Sequence, residues 1–341
     1  MTVGDVSERD LVARIQRHLA PPPDWVLVGI GDDAAVVEPE RNRVEVLTVD
    51  ALVDGVHFDR AFVPPDAIGH RALAVNLSDL ASMGASPRLA LLSMALPASL
   101  PLDDFDGIAS GFAALASRHR MHLVGGNLTR TPGPLTLDVT LLGTVKRRQA
   151  LTRAGARPGD EVYVSGSIGA AVAGLAALRE GGSHQPPGAS RQSLVERYLR
   201  PVPRVRLGTL LARNRAASAC IDLSDGLGDG VQRLAHDSGI GVTVEAETLP
   251  IDADTRSQFA AAGCDPVMAA IAGGDDYELL FTVRPRTRHR LRAAARHADV
   301  PLTRIGVCTE RRDVVLLRSG APEAMPAGYS HFGRPEGRRY P

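Results

Sequence analysis

The sequence predicts a protein of two α/β domains. Apolar strand-like runs alternate with amphipathic helical segments along most of the chain, which is typical of α/β architecture. With 341 residues, of which 44% are hydrophobic and 23% charged, the chain is long enough for two globular domains. Around residues 146–150 the composition turns basic and the apolar pattern breaks. We therefore expect one domain over residues 1–148 and a second over residues 149–341.

The elements of the first domain follow from apolar spacing. A helix is predicted over residues 8–19, because Leu11 and Ile15 recur at helical spacing. Ser7 is a suitable N-cap for this helix, and the three prolines that follow it end it. Further strands are predicted over residues 34–37, 44–49, 89–96 and 135–141, and further helices over residues 67–83 and 105–115.

The second domain begins with a strand predicted over residues 161–165 and a helix predicted over residues 168–178. The turn between them contains Gly166 and Gly169. Two glycines are weak evidence for a phosphate-binding turn, and tight packing is the favoured interpretation. The Gly- and Pro-rich residues 181–190 predict a surface loop. Strands and helices then alternate to about residue 317.

Composition excludes several classes of function. Lys+Arg and Asp+Glu both number 39, and only 4% of residues are aromatic, so we expect no binding of nucleic acid. Lys146 is the only lysine, and its neighbours fit neither a Walker A loop nor a Schiff-base site. No apolar run reaches the ~18 residues of a membrane span. The acidic start of the chain and three isolated cysteines indicate a cytoplasmic protein with reduced, buried thiols.

Aspartates stand beside glycines or at the ends of apolar strands at five places. These groups fall at residues 31–33, 48–50, 76–79, 222–226 and 273–276. Any one group could be a turn or a helix cap. Together they lack matching basic residues beside them in the sequence, and convergent carboxylates require a hard cation such as Mg²⁺. Because the glycines would let backbone amides approach an anion, we hypothesise a nucleotide–metal site.

Taken in order, short motifs along nearly the whole chain resemble the thiamine-monophosphate kinase family of the aminoimidazole-ribotide-synthetase-like superfamily. They are GIGDDAAVV (29–37), TVDALVDGVHF (48–58), ALAVNLSDLASMGASP (72–87), VGGNLTR (124–130), ALTRAGARPGD (150–160), IDLSDGL (221–227), GGDDYELLFTV (273–283) and GYSHF (328–332). Each motif is short, but the ordered set is specific.

The resemblance implies a fold, a reaction and partners. The fold is an N-terminal α/β domain that binds ATP and Mg²⁺, followed by a C-terminal α/β sandwich. The N-terminal sheets of two chains are expected to pack into a homodimer. The reaction is in-line transfer of the ATP γ-phosphoryl group to thiamine monophosphate, which yields thiamine diphosphate. No general base is expected, because the second pKa of a phosphate monoester is about 6 and the acceptor is already ionised.

Site residues follow from the resemblance by motif. The expected Mg²⁺ ligands, for several ions, are Asp33, Thr48, Val49 through its carbonyl, Asp50, Asp79, Asn127, Asp222 and Asp225. The expected ATP contacts are Gly126, Asn127, Arg153 and Ser224. The expected substrate contacts are His57 near the acceptor phosphate, Asp275, and Tyr329, which could stack on the cationic thiamine rings.

Two positions depart from the family pattern. Asn127 stands where many relatives have aspartate, and its neutral oxygen is a weaker Mg²⁺ ligand. Asp275 stands where many have glutamate. The alternatives are another ATP-dependent enzyme of the superfamily, or a nucleotide-binding protein that lost turnover. A selenide-phosphorylating relative would carry a reactive cysteine in an N-terminal loop, and none precedes Cys220. A hydrogenase-maturation relative would end in cysteine, whereas this sequence ends in proline.

Overall fold

The computed structural model describes residues 1–181 and 189–329. The chain divides into two compact units. Unit 1 consists of Met1–Leu80 and Ala85–Arg148, and unit 2 consists of Ala81–Gly84 and the chain from Gln149 onward. Both units mix helices and sheets, which confirms the predicted fold class. No helix among the described residues combines the length and the hydropathy that crossing a membrane requires.

Unit 1 contains a four-stranded sheet, a small hairpin and helices. Its helices are α1 (Glu8–His18), α2 (Pro65–Ser82) and α3 (Leu102–Arg118), and its strands are β1 (Val26–Val28), β2 (Val36–Val37), β3 (Arg43–Val53), β4 (Ser86–Pro97), β5 (His122–Thr131) and β6 (Thr136–Lys146). The large sheet has the order β3-β6-β4-β5. Strand β6 is antiparallel to β3 and β4, and β4 is parallel to β5.

One face of this sheet is buried and the other is exposed. Leu137, Val139 and Leu141 of β6 alternate onto the buried face, as their spacing predicts. On the opposite face Leu47 is 65% exposed and Leu91 is 42% exposed. Leu47 lies on β3 and Leu91 on β4, on either side of β6. Large apolar side chains on one face of a sheet rarely stay in water without a function.

Helices α2 and α3 pack closely enough to require glycine. A Cβ atom at Gly111 of α3 would lie 1.9 Å from the carbonyl oxygen of Asp66, which belongs to α2. The same holds in reverse, because a Cβ atom at Gly69 of α2 would lie 1.9 Å from the carbonyl oxygen of Ile108. Backbone atoms cannot move aside as a flexible side chain can, so the spacing of this helix pair depends on both glycines.

Unit 2 contains a seven-stranded sheet with helices. Its strands are β7 (Glu161–Ser165), β8 (Ala219–Asp222), β9 (Gly241–Glu245), β10 (Leu279–Val283), β11 (Leu302–Thr309), β12 (Val314–Arg318) and β13 (Ala321–Ala324). Its helices are α4 (Ala170–Gly181), α5 (Ala189–Leu199), α6 (Val205–Asn214), α7 (Leu227–Ser238), α8 (Ala253–Ala261), α9 (Pro266–Ala272) and α10 (Arg288–Ala295). The sheet has the order β13-β12-β9-β11-β7-β10-β8, and only β9 and β12 pair in parallel.

Two predictions need correction. Most of the surface loop predicted over residues 181–190 lies outside the described residues, but α5 already begins at Ala189, because helix-compatible residues follow the prolines. The cysteines are free, as expected, and Cys220 and Cys308 are buried, whereas Cys264 is only partly buried. Cys264 follows the C-terminus of α8 and packs at the edge of the hydrophobic core of unit 2.

The substitution Gly111→Ala should lower the melting temperature by several degrees, because overpacking costs about 1–3 kcal/mol. Alanine has the better helix propensity by about 1 kcal/mol, so a loss identifies the helix contact as the cause. The control is Ser110→Ala, an exposed position of the same helix. Thermal unfolding by circular dichroism measures both variants. Equal melting temperatures for wild type and Gly111→Ala would contradict the packing argument.

Candidate functional site

The acidic residues of unit 1 lie partly on one face of the large sheet. Side chains alternate along β3, so Thr48 and Asp50 are half-buried on the face that carries Leu141 and Val139 of β6. The hydroxyl of Thr48 donates a short hydrogen bond to the carboxylate of Asp79 on α2. The structure thus brings Thr48 and Asp79 together and places Asp50 two residues further along the same face.

The remaining residues predicted for this half of the site are more exposed. Asp33 lies in the exposed loop between β1 and β2, where its N–H donates to the carboxylate of Asp32 at 2.8 Å. The side chain of Val49 lies on the exposed face of the sheet. Because valine has no donor atom in its side chain, its carbonyl oxygen is the only metal ligand that it can offer. Gly126 and Asn127 are exposed on β5.

Unit 1 offers suitable donors for Mg²⁺ but no complete cage. Within the two described stretches, no three His, Cys, Asp or Glu side chains are grouped closely enough to hold a metal ion alone. Mg²⁺ commonly keeps several waters and binds one or two carboxylates together with substrate phosphates. The adjacent oxygens of Thr48 and Asp79 fit an ion that arrives with a nucleotide.

His57 is held in a fixed orientation just after β3. The backbone N–H of Val53 donates to Nδ1 of His57 at 3.0 Å. The backbone N–H of His57 in turn donates to the carbonyl of Val53 at 2.9 Å. Because Nδ1 accepts a hydrogen bond, the proton of the neutral ring is assigned to Nε2. The ring can therefore donate from Nε2 to an anionic oxygen.

In unit 2, three loops that are distant in sequence meet through their backbones. The N–H of Asp275 donates to the carbonyl of Ser224 at 2.8 Å, and the N–H of Tyr277 donates to the carbonyl of Leu223 at 3.0 Å. The N–H of Tyr329 donates to the carbonyl of Asp225 at 3.0 Å. The structure therefore brings together the predicted residues of IDLSDGL, of GGDDYEL and of the start of GYSHF; residues 330–332 of that last motif lie outside the described residues.

Glycines make these loop contacts possible. A Cβ atom at Gly328 would lie 2.1 Å from the carbonyl oxygen of Asp225, and one at Gly274 would lie 2.6 Å from the carbonyl oxygen of Ser224. The sequence suggested that glycines beside the aspartates, Gly274 among them, admit an anion. At Gly274 the structure shows a different role, which is the direct contact of one loop backbone with another, and Gly328 makes the same kind of contact.

The aspartate groups have no matching basic residue beside them in the sequence, but the fold supplies one to Asp225. Its carboxylate lies 3.3 Å from Nη2 of Arg233, whose Nε lies 2.5 Å from Asp229. Arg233 lies about two helical turns after Asp225, and its side chain extends back along α7 towards the N-terminus of the helix. Asp222 stands at the end of β8 and is only 6% exposed.

The turn between β7 and α4 is occupied by a carboxylate of the chain itself. Asp276 accepts hydrogen bonds from the N–H of Gly169 at 2.6 Å and from the N–H of Ala171 at 3.2 Å. Burial raises the pKa of this carboxyl to about 7. The amides that could have bound phosphate cap the helix with Asp276 instead, which supports the packing interpretation of this turn.

Sequence reasoning missed a buried ion-pair cluster behind these loops. Glu278 is fully buried, and its carboxylate pairs with Arg197 at 3.0 Å and with the guanidinium of Arg204. The hydroxyl of Ser165 donates to the same carboxylate at 2.5 Å. The only signal in the sequence is a glutamate directly before the apolar run of β10, where a carboxylate is buried only if it is paired.

The other two predicted residues of unit 2 are exposed. Arg153 lies in the segment before β7 with an exposed side chain, and its carbonyl accepts a hydrogen bond from Ser238 at 3.1 Å. The side chain of Tyr329 is 52% exposed although its backbone is tied to Asp225. An exposed ring on an anchored backbone is able to stack on a ligand.

Comparisons with known proteins extend over both units. Residues 31–145 match the N-terminal domain of AIR synthase related proteins, and residues 157–318 match the C-terminal domain. Thiamine-monophosphate kinase of Escherichia coli K12 is 38% identical over 342 residues, which cover 98% of this chain and 100% of the relative. The Bacillus subtilis enzyme of that name is 33% identical over 308 residues, which cover 89% and 93% of the two chains.

Solved structures give the same result. The crystal structure of thiamine-monophosphate kinase from Stenotrophomonas maltophilia superimposes with a TM-score of 0.82 at 40% identity, and it covers 91% of this chain and 96% of the other. A structure described as AaThiL complexed with AMPPCP and TMP superimposes with a TM-score of 0.76 at 31% identity, and it covers 97% and 99%. A hydrogenase maturation protein shares the fold at 18% identity.

The carboxyl of Asp276 should make stability depend on pH. Its pKa is raised to about 7 in the folded protein and is about 3.9 in an unfolded chain. The folded state therefore binds this proton more tightly, and its stabilising contribution is lost as the pH rises from about 4 to about 7. We therefore expect the melting temperature of Asp276→Asn, relative to that of wild type at the same pH, to increase between pH 5 and pH 8.

The matched control is Asp265→Asn, which alters the N-cap of α9. Arg318 lowers the pKa of Asp265, so this cap stays ionised above pH 5 and its difference from wild type should not change. Melting temperatures are measured at each pH. A constant difference between Asp276→Asn and wild type would contradict the effect of burial.

Proposed function

The chain belongs to the thiamine-monophosphate kinase family of AIR-synthase-related proteins, and we propose that it transfers the γ-phosphoryl group of ATP to thiamine monophosphate. The products are thiamine diphosphate and ADP. The observation that carries the proposal is the backbone contact of the loop after Asp222, which carries Asp225, with the segments of Asp275 and Tyr329 in unit 2, in a chain with near full-length kinase relatives. A related structure, at 31% identity, is a complex with AMPPCP and TMP.

The residues of the chain perform this reaction by positioning and by charge compensation. The acceptor is a phosphate monoester whose second pKa is about 6, so its oxygen attacks the γ-phosphorus without a general base. The attack is in line with the bond to the leaving ADP oxygen. The fixed ring of His57 would donate from Nε2 to the acceptor phosphate and reduce the repulsion between the two anions.

Mg²⁺ is part of the proposal. When bound, it would compensate the charge of the transferred phosphoryl group and of the ADP oxygens. The proposed ligands, divided among several ions, are Asp33, Thr48, Val49 through its carbonyl, Asp50, Asp79 and Asn127 in unit 1, and Asp222 and Asp225 in unit 2. The contact of Thr48 with Asp79 supports this assignment, because it already places two hard oxygen donors side by side.

Nucleotide and substrate contacts complete the proposed site. Gly126, Asn127, Arg153 and Ser224 would contact ATP. The carboxylate of Asp275 would face the positively charged thiamine, and the exposed ring of Tyr329 would stack on it. Residues 1–148 would form the domain that binds ATP and Mg²⁺, and residues 149–341 the second domain.

We also propose that the protein is a homodimer in the cytoplasm. Leu47 and Leu91 support the dimer, because they expose apolar surface on neighbouring parts of one sheet face of unit 1. A second copy of the same face would remove this surface from water, and the hydrophobic effect would then favour association. The availability of ATP supports the cytoplasm as the compartment.

Product analysis tests the function. The purified protein is incubated with ATP, Mg²⁺ and one acceptor at a time: thiamine monophosphate, thiamine, the precursor of aminoimidazole ribotide, or selenide. We expect thiamine diphosphate with thiamine monophosphate alone. Product with another acceptor would favour a different enzyme of the superfamily. ATP binding without product from any acceptor would favour a protein that lost turnover, and Asn127→Asp would then be tested for restored activity.

The metal assignment predicts that Asp79→Asn and Asp222→Asn each lower kcat at least about 100-fold, because each removes a charge that would compensate the transferred phosphoryl group. Asparagine has nearly the shape of aspartate, so the fold should persist in circular dichroism. The control is Asp237→Asn on an exposed position of α7, which should keep wild-type activity. Near-normal turnover in both site variants would refute the assignment.

The dimer proposal predicts that Leu47→Glu shifts the protein from dimer to monomer, because it would place two charges in an apolar interface. Sedimentation velocity measures the mass. The control is Val202→Glu, which changes a residue of unit 2 that is 52% exposed. A Leu47→Glu protein that remains a dimer would exclude this face as the interface.

A further inference from the structure

The segment from Asp275 to Glu278 has an unusual backbone. Asp275 has φ 67° and Tyr277 has φ 51°, so both lie in the left-handed region. Aspartate tolerates this region, but for an aromatic residue it is a genuine outlier. Such strain persists only where the surrounding structure imposes it, and it is frequent at functional sites.

Neighbouring groups hold this segment at every residue. The carboxylate of Asp276 is bound by the N–H groups at the start of α4, and that of Glu278 is bound by Arg197 and Arg204. The N–H groups of the other two residues, 275 and 277, donate to the carbonyls of residues 224 and 223. The two buried acids thus act as anchors on either side of Tyr277.

The anchored backbone aims Tyr277 at Asp275. The hydroxyl of Tyr277 donates to Oδ1 of Asp275 at 3.0 Å, and the tyrosine is only 7% exposed. Residues two positions apart share one side of an ordinary extended strand. This segment is not an ordinary strand, because Asp275 and Tyr277 are both left-handed, and this backbone conformation sets the directions of the two side chains. A buried phenol restricts the carboxylate to a narrow range of rotamers.

We propose that Tyr277 is a positioning residue that orients the carboxylate of Asp275 towards the substrate. The inference rests on the proposed function, in which Asp275 faces the cationic thiamine. With Oδ1 held by the phenol, the carboxylate is fixed in one orientation before the substrate binds. This preorganisation removes the entropy cost of ordering the carboxylate during binding. Tyr277 itself need not touch the substrate.

Tyr277→Phe tests the role because it removes only the hydroxyl. The loss of a hydrogen bond to a charged group should raise the dissociation constant and the KM for thiamine monophosphate about tenfold. The KM for ATP should stay unchanged, and kcat should fall less than the KM rises. Isothermal titration calorimetry and steady-state kinetics give these values, and thermal unfolding shows that the variant is folded.

A double-mutant cycle with Asp275→Gly shows whether Tyr277 acts through Asp275. Glycine removes the carboxylate and accepts the positive φ of this position. We expect Tyr277→Phe to have no further effect on substrate binding in the Asp275→Gly background. The matched control is Tyr163→Phe, since Tyr163 likewise donates to a carboxylate two residues away, Glu161, at 3.2 Å. This control should bind substrate as wild type does.

The outcomes separate the two proposals. If the wild-type protein binds thiamine monophosphate and Tyr277→Phe binds it with the same affinity, this inference alone is overturned. Multiplicative losses in the double variant would also overturn it, because Tyr277 would then act independently of Asp275. A wild-type protein that binds no thiamine monophosphate would overturn the proposed function and this inference with it.

Discussion

The backbone contact between the loop after β8 and the loop before β10 is the constraint on which the site in unit 2 depends. It consists of hydrogen bonds between main-chain groups, so it fixes the paths of the loops regardless of most side chains. A main-chain contact of this kind excludes a Cβ atom at Gly274. The buried carboxylate of Glu278 stabilises the same contact from behind, because its pairing with Arg197 and Arg204 prevents the loop from moving into solvent.

This arrangement separates two buried anchoring acids from a half-buried neighbour, Asp275, which the proposed function assigns to the substrate. Asp276 and Glu278 are both buried and both fully engaged with the protein. Asp275 lies between the loops, beside the segment that carries Asp225. Neighbouring acids of one short motif therefore have different surroundings. Under the proposed function, the burial of each carboxylate, and not its identity as an acid, decides whether it anchors the loop or faces the substrate.

The acidic groups of the candidate site could be found from sequence because aspartate and glycine at the ends of apolar runs form local patterns. The pairing of these acids could not. Arg233 reaches Asp225 only because α7 folds into a helix of more than two turns. Arg197 lies in the last turn of α5, and Arg204 follows that helix. Both are far in sequence from Glu278, and nothing in the local sequence marks them as its partners. The isolation of the three cysteines predicts buried thiols, but Cys264, which follows α8, is only partly buried.

By itself the sequence determined the order of most helices and strands, the family and the positions of the acidic motifs. These properties depend on periodicity and on short runs of residues, and both are contained in neighbouring positions. Only the tertiary structure decided that Thr48 contacts Asp79, that Asp276 caps α4, and that the backbone holds Tyr277 against Asp275. Those contacts arise when elements pack, because packing alone determines which carboxylates lose water and which backbone groups replace it.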